Sequence, residues 1–163
     1  MKFLSRSADQ THKLGYALGS ALKSGDSVLL YGDLGAGKSV FARGCAQALG
    51  VQREMASPTF TLMQPYEGDG LTVYHFDLYR LSDPDELYFS GLEEHIGSDG
   101  VALIEWPQQG DVSPEPRAEV ELRRAEDFDS RTIEITLIGM NDRADAIRRA
   151  LEACACASAE KEP

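Results

Sequence analysis

The 163-residue sequence has no apolar run approaching the roughly 18 residues of a membrane span, and no charged-then-apolar leader at its start. Both absences lead to the expectation of a cytoplasmic protein without a membrane partner. Cysteine is scarce, with only Cys45, Cys154 and Cys156. An odd count argues against a disulfide framework, and a Cys-x-Cys pair without further ligands makes a poor zinc site, so core or surface thiols are expected. Basic charge is short as well: 16 Lys and Arg face 27 Asp and Glu, for a formal net charge of −11. Such a surface repels phosphate backbones and lacks the footprint of a direct nucleic-acid binder, so an RNA-related role would run through a partner. No internal repeat is present. The length suits one sizeable core and is short for two. One domain is expected over 1–156, followed by a small, charged tail, 157–163, expected to be disordered.

Against these absences stands one complete motif. Gly32-Asp33-Leu34-Gly35-Ala36-Gly37-Lys38-Ser39 has the form G-x-x-x-x-G-K-[ST]. A loop of this kind turns successive backbone N–H groups toward a polyphosphate, sets the lysine on the outer phosphates and offers the hydroxyl to Mg²⁺. The competing reading is a glycine turn that happens to precede a lysine. Context argues against it. Ser27-Val28-Leu29-Leu30-Tyr31 reads as a buried strand opened by the turn Lys23-Ser24-Gly25-Asp26. After the loop, Phe41, Ala42, Cys45, Ala46 and Leu49 recur at helical spacing and Gly50 is a natural stop. Strand, loop and helix follow in the order the motif requires, and the helix N-terminus adds partial positive charge at the anion site. A nucleoside triphosphate site is expected.

The remaining sequence alternates helical and strand patterns, which predicts an α/β fold. Ser7 followed by Gln10 is a capping-box pattern ahead of the stripe Leu14, Ala17, Leu18, Ala21, Leu22. Ser57 to Leu62 reads as a proline-marked loop feeding a strand, and Glu67-Gly68-Asp69-Gly70 turns into a second strand, Leu71 to Phe76, to make a hairpin. A helix is predicted from Asp85 to about Ile96, a central strand over Val101 to Ile104, and a loop from Gln108 to Pro116. Val120 with Leu122, and Ile133, Ile135 with Leu137, alternate as two half-buried antiparallel strands, and Asp142 to about Ala155 forms the last helix.

Two acids directly follow apolar strands. Asp77 ends Val73-Tyr74-His75-Phe76, and Glu105 ends Val101 to Ile104. Open α/β sheets place their ligands at such strand ends, and a P-loop hydroxyl normally shares its metal with an acid there. Either acid taken alone reads equally well as a strand terminus or helix cap. His75, beside Asp77, reads as a packed strand histidine.

Four blocks taken together carry a family resemblance: Gly32 to Ser39, Ser57-Pro-Thr-Phe-Thr-Leu62, His75-Phe-Asp-Leu-Tyr-Arg80 and Ile104-Glu-Trp-Pro107. In this order they resemble TsaE (also called YjeE), the bacterial ATPase of tRNA threonylcarbamoyladenosine formation, over roughly residues 7 to 140. The resemblance implies a P-loop NTPase fold with a mainly parallel central sheet flanked by antiparallel strands and helices. It implies ATP and Mg²⁺, and partnership with TsaB and TsaD, of which TsaD carries out transfer to adenosine 37, so that tRNA is met only through the complex. By position, Asp33, Leu34, Gly35, Ala36, Gly37 and Lys38 belong to the phosphate loop, and Ser39 and Glu105 to the metal. Asp77 and Glu105 are the implied catalytic acids, Thr59 a switch threonine sensing the γ-phosphate, Trp106 the tryptophan after the acid, and Arg131 an arginine near the nucleotide. The sequence departs from the family by Ser39 in place of the usual threonine and by Val40 in place of a second hydroxyl residue. Serine still supplies the metal oxygen, whereas a second hydroxyl contact to phosphate is lost.

Two rival readings remain at this level. A small-metabolite P-loop kinase would use Asp77 as the base for a substrate hydroxyl, but an arginine-rich lid is missing and Gln108 to Pro116 carries no basic residue. A nucleotide-loaded binding module would work by conformation with negligible turnover.

Overall fold

The computed structural model describes residues 1–58 and 60–159. The elements run β1 (Lys2–Ser5), α1 (Ala8–Gly19), β2 (Ser27–Tyr31), α2 (Lys38–Ala48), β3 (Met63–Glu67), β4 (Thr72–Asp77), α3 (Asp85–Ser90), β5 (Gly100–Glu105), β6 (Arg117–Arg124), β7 (Arg131–Ile138) and α4 (Ala144–Ala159). All seven strands join one sheet in the order β1-β7-β6-β2-β5-β4-β3. The inner four, β6-β2-β5-β4, are parallel neighbours, and antiparallel pairs close both sides. This is the expected α/β architecture, and it sends the C-terminal ends of β2, β4 and β5 to the same edge.

Side-chain alternation divides the core into two layers. Val28, Leu30, Val101, Leu103 and Val73 face α1 and α2, where they meet Leu18, Phe41 and Cys45. Leu29, Tyr74, Phe76, Ala102 and Ile104 face the other way, onto Leu78, Leu81 and Leu87. β2 and β5 are buried along nearly their whole length, which explains their near-continuous apolar runs. Burial in this core pushes the Cys45 thiol far above its ordinary pKa, so it acts as a small apolar side chain.

α1 and α2 touch backbone to backbone. A Cβ added at Gly15 would lie 2.2 Å from the Phe41 carbonyl oxygen, and one at Gly44 would lie 2.1 Å from that of His12. Only glycine permits this approach, and it fixes the helix that follows the phosphate loop. On the start of α1, Ser7 Oγ accepts from Gln10 N at 3.2 Å. The Gln10 side chain reaches back one residue further than in the usual box, accepting from Arg6 N at 2.7 Å.

Several boundaries differ from the sequence expectation. β1 was not anticipated: four residues with one buried position give too little alternation to read, and the strand owes its existence to pairing with β7. The helix expected through Ile96 stops at Ser90, where Gly91 takes φ 76° as a left-handed cap, and a 3₁₀ turn follows over Leu92–His95. Another 3₁₀ turn, Pro107–Gln109, opens the loop after β5. α4 continues to Ala159, past the expected start of the tail; residues 160–163 lie outside the described part of the chain.

Candidate functional site

β2 ends at Tyr31, and the chain turns through Gly32 to Gly37 straight into α2. Gly35 has φ 74° and Gly37 φ 106°, backbone conformations that side chains with a Cβ rarely adopt. At Gly37 the neighbours of an added Cβ are no closer than 3.6 Å, so conformation rather than space demands glycine there. Gly37 caps α2 without a side-chain bond, leaving the first helical N–H groups and their positive end directed at the loop.

The loop is gripped through its carbonyls. Arg131 Nε donates to Ala36 O at 3.1 Å and Nη2 to Gly35 O at 3.3 Å, while Nη1 donates to the Phe128 and Ser130 carbonyls. Arg124 Nη2 stands 3.5 Å from Leu34 O. Arg131 is thus brought to the phosphate loop, with its donors spent on main-chain oxygens. Arg124 is a second loop-holding arginine that the sequence did not signal, since nothing in its strand position sets it apart from other edge charges.

Lys38 is buried. Its Nζ donates to the Gly32 and Asp33 carbonyls at 2.6 and 2.9 Å and lies 4.3 Å from the centroid of the Trp106 ring. Burial lowers its pKa below the ordinary lysine value, opposed by the charges of Glu105, Asp77 and Asp33. Trp106 itself has φ 57°, an uncommon conformation for a bulky residue. That turn aims its ring into the site, where it also meets Tyr79 at a centroid separation of 4.9 Å.

The strand ends bring the two acids together. Asp77 and Glu105 are register partners across β4 and β5, on strands about 4.8 Å apart. Glu105 is 3% exposed and accepts from Ser39 Oγ at 2.9 Å on Oε1 and 3.1 Å on Oε2. Asp77 accepts from Ser57 Oγ at 2.9 Å and from Tyr79 N at 3.1 Å. Ser57, in the loop before β3, is a further polar residue of the site, and its proline-marked sequence context gives no sign of this contact. Thr59 lies outside the described residues. His75, read from sequence as packed, stands 2.6 Å from Glu105 Oε2 through Nε2; the signal was its place two residues before Asp77, hence on the same face of the strand.

Lys38, Ser39, Ser57, Asp77, Glu105 and Trp106 line a cleft of about 480 Å³ together with neighbouring loop and strand-end residues. The size suits a nucleotide. The donor set fits Mg²⁺ bound with a polyphosphate: a hydroxyl and a carboxylate give hard oxygen ligands, and the buried ammonium offsets phosphate charge. Among the described residues no group of three His, Cys, Asp or Glu side chains is placed to hold a metal alone.

Residues 5–133 match the family described as threonylcarbamoyl adenosine biosynthesis protein TsaE. The chain belongs to the TsaE family. It is 43% identical over 118 residues to the tRNA threonylcarbamoyladenosine biosynthesis protein TsaE of Haemophilus influenzae, covering 70% of this chain and 73% of that one. The TsaE of Bacillus subtilis is 36% identical over 140 residues, 85% of this chain and 87% of its own. The crystal structure of Bacillus subtilis YdiB superposes with a TM-score of 0.74 at 31% identity, covering 94% of each chain. The TsaE match spans the phosphate loop, both acids, Trp106 and Arg131, and it accords with a P-loop-type, nucleotide-binding fold. No helix among the described residues is long and apolar enough to cross a membrane.

Proposed function

We propose that this chain is a Mg²⁺-dependent ATPase of tRNA threonylcarbamoyladenosine formation, which acts with TsaB and TsaD and resets their complex between turnovers. The observation that carries the reading is the bond between Ser39 and Glu105, which joins the end of the phosphate loop to a neighbouring strand end where a metal-linked acid belongs.

When bound, ATP supplies the phosphoryl bond to be cleaved and Mg²⁺ the charge that offsets its oxygens. The chain supplies the rest. The backbone from Asp33 to Gly37 cradles the phosphates and Lys38 neutralises the outer ones. Ser39 and Glu105 hold the metal. Asp77, kept in orientation by Ser57 and the Tyr79 N–H, orients the attacking water and accepts its proton. Arg131 acts from behind, by fixing the Gly35 and Ala36 carbonyls and with them the curvature of the loop. Thr59 is assigned to sensing the γ-phosphate and Trp106 to covering Lys38.

Partners are needed because the cleft mouth is open: Leu34 and Tyr79 stand exposed on it, and exposed Phe60 sits against Arg80 at its lip. Water ordering for in-line attack requires a more closed site, which docking of TsaB and TsaD onto this lip would supply. The tRNA is met through that complex, in keeping with the −11 net charge. Phosphate release measured on the chain alone, then with TsaB and TsaD, tests the reading. Weak release alone and strong stimulation by the pair are expected; full activity without partners, or none with them, contradicts it.

A further inference from the structure

We propose that His75 is a positioning residue for Glu105, holding that carboxylate so that its oxygens and the Ser39 hydroxyl form a preset pair of metal ligands. The inference rests on the Mg²⁺–nucleotide reading of the cleft and adds to it a residue behind the ligands.

The argument starts from the strand. Val73, His75 and Asp77 share one face of β4, and Val101, Leu103 and Glu105 share the matching face of β5. Val73, Val101 and Leu103 are all fully buried in the core beneath α1 and α2. An imidazole among them, only 2% exposed, costs free energy that an apolar side chain would not. Its Nδ1 is buried with no partner among the described residues. What offsets this is one bond, Nε2 to Glu105 Oε2, at 2.6 Å. A carboxylate oxygen accepts, so the imidazole Nε2–H is the donor in this bond. A residue chosen for packing alone would be apolar, as its neighbours are.

The bond also has the right direction. Glu105 is held from the core side by His75 and from the loop side by Ser39, whose hydroxyl reaches both carboxylate oxygens. With two fixed contacts the carboxylate loses the freedom to turn away from the loop. Carboxylates that bind metals are characteristically held by such outer partners, whose removal costs 10–100-fold in metal affinity or activity.

The test uses the full chain and its single tryptophan, which stands 4.3 Å from Lys38 Nζ and therefore reports on the loop. Trp106 fluorescence is followed while Mg²⁺ is titrated into the chain with ADP, and separately while ADP is titrated in EDTA. Two variants are compared with wild type: His75→Leu, which removes the donor, and His75→Gln, whose amide can still reach Glu105. Thermal melts confirm that each is folded. The expected result is that His75→Leu needs about 10-fold or more Mg²⁺ for half-effect, with ADP affinity in EDTA unchanged, and that His75→Gln recovers most of the loss. A folded His75→Leu with wild-type Mg²⁺ dependence overturns the proposal, as does a His75→Gln no better than the leucine variant. If His75→Leu fails to fold, the glutamine variant decides alone: near-wild-type Mg²⁺ dependence supports the proposal and a 10-fold loss overturns it. Wild type that shows no Mg²⁺ effect on ADP binding at all takes down the metal-site reading together with this one, which separates the two failures.

Discussion

Ser39 and Glu105 are 66 positions apart in the chain, yet the serine hydroxyl donates to the glutamate carboxylate at 2.9 Å. The sheet makes the meeting possible: Leu30, near the end of β2, is the register partner of Glu105 on β5, and the phosphate loop leaves β2 one residue later. A hydroxyl at the start of a helix and a carboxylate at a strand end are thereby delivered to the same point.

Removing either loop side chain should separate folding from chemistry. Lys38→Ala deletes the charge proposed to face phosphate and Ser39→Ala the proposed metal oxygen, so both should abolish hydrolysis while circular dichroism and melting stay near wild type. Phosphate release by purified variants measures this. Wild-type turnover in either one would remove the P-loop assignment.

The two acids should be costly for different reasons. Asp77→Ala and Glu105→Ala are each expected to lower the hydrolysis rate by about 10²-fold or more, with nucleotide binding affected less, because the loop backbone and Lys38 remain. Single-turnover rates beside Trp106 titrations separate the two effects. If Asp77→Ala hydrolyses normally while Glu105→Ala is inactive, Asp77 is only the cap of the Tyr79 N–H.

Much of this site was legible because it is local in sequence. The loop carries its motif in consecutive residues, and the candidate acids Asp77 and Glu105 are marked by apolar strands directly before them. What depended on long-range pairing was not legible. β1 exists through β7, the role of Arg124 through a loop 90 positions away, and the polar role of His75 through a carboxylate on another strand. Gly91 was readable in principle as a helix stop, but the helical spacing on both sides of it masked the break.

The contact between α1 and α2 gives a stability prediction. Gly44→Val places a Cβ 2.1 Å from the His12 carbonyl oxygen, and backbone cannot yield as a side chain can. Destabilisation of about 1–3 kcal/mol or more is expected, read as a lowered urea midpoint, with nucleotide affinity weakened because α2 carries Lys38. Gly15→Ala strikes the same contact from the other helix, so its effect combined with Gly44→Val should fall short of the sum. An unchanged midpoint in either single variant contradicts the close packing.

Lys38 should make nucleotide binding sensitive to alkaline pH. Burial lowers its pKa, so its charge is lost at a lower pH than for an ordinary lysine, and phosphate affinity should decline as pH rises toward that range. Folding stability moves the other way: the unfolded chain holds this proton more tightly, so the Lys38 contribution to stability improves as pH rises between the folded and unfolded values. Affinity for ADP followed through Trp106 should weaken with rising pH in wild type and less in Lys38→Arg, whose charge persists. A wild-type profile that stays flat until the arginine variant also falls contradicts this.

The most direct test of the central claim is threonylcarbamoyladenosine formation on tRNA in a mixture containing TsaB and TsaD, followed over many turnovers with wild-type chain, with Lys38→Ala, or with neither. The expected result is sustained product formation only with wild type, while the other two mixtures stop after about one round per complex. Equal multi-turnover yields in all three mixtures would contradict the assignment of this cleft as the ATPase site that resets the complex.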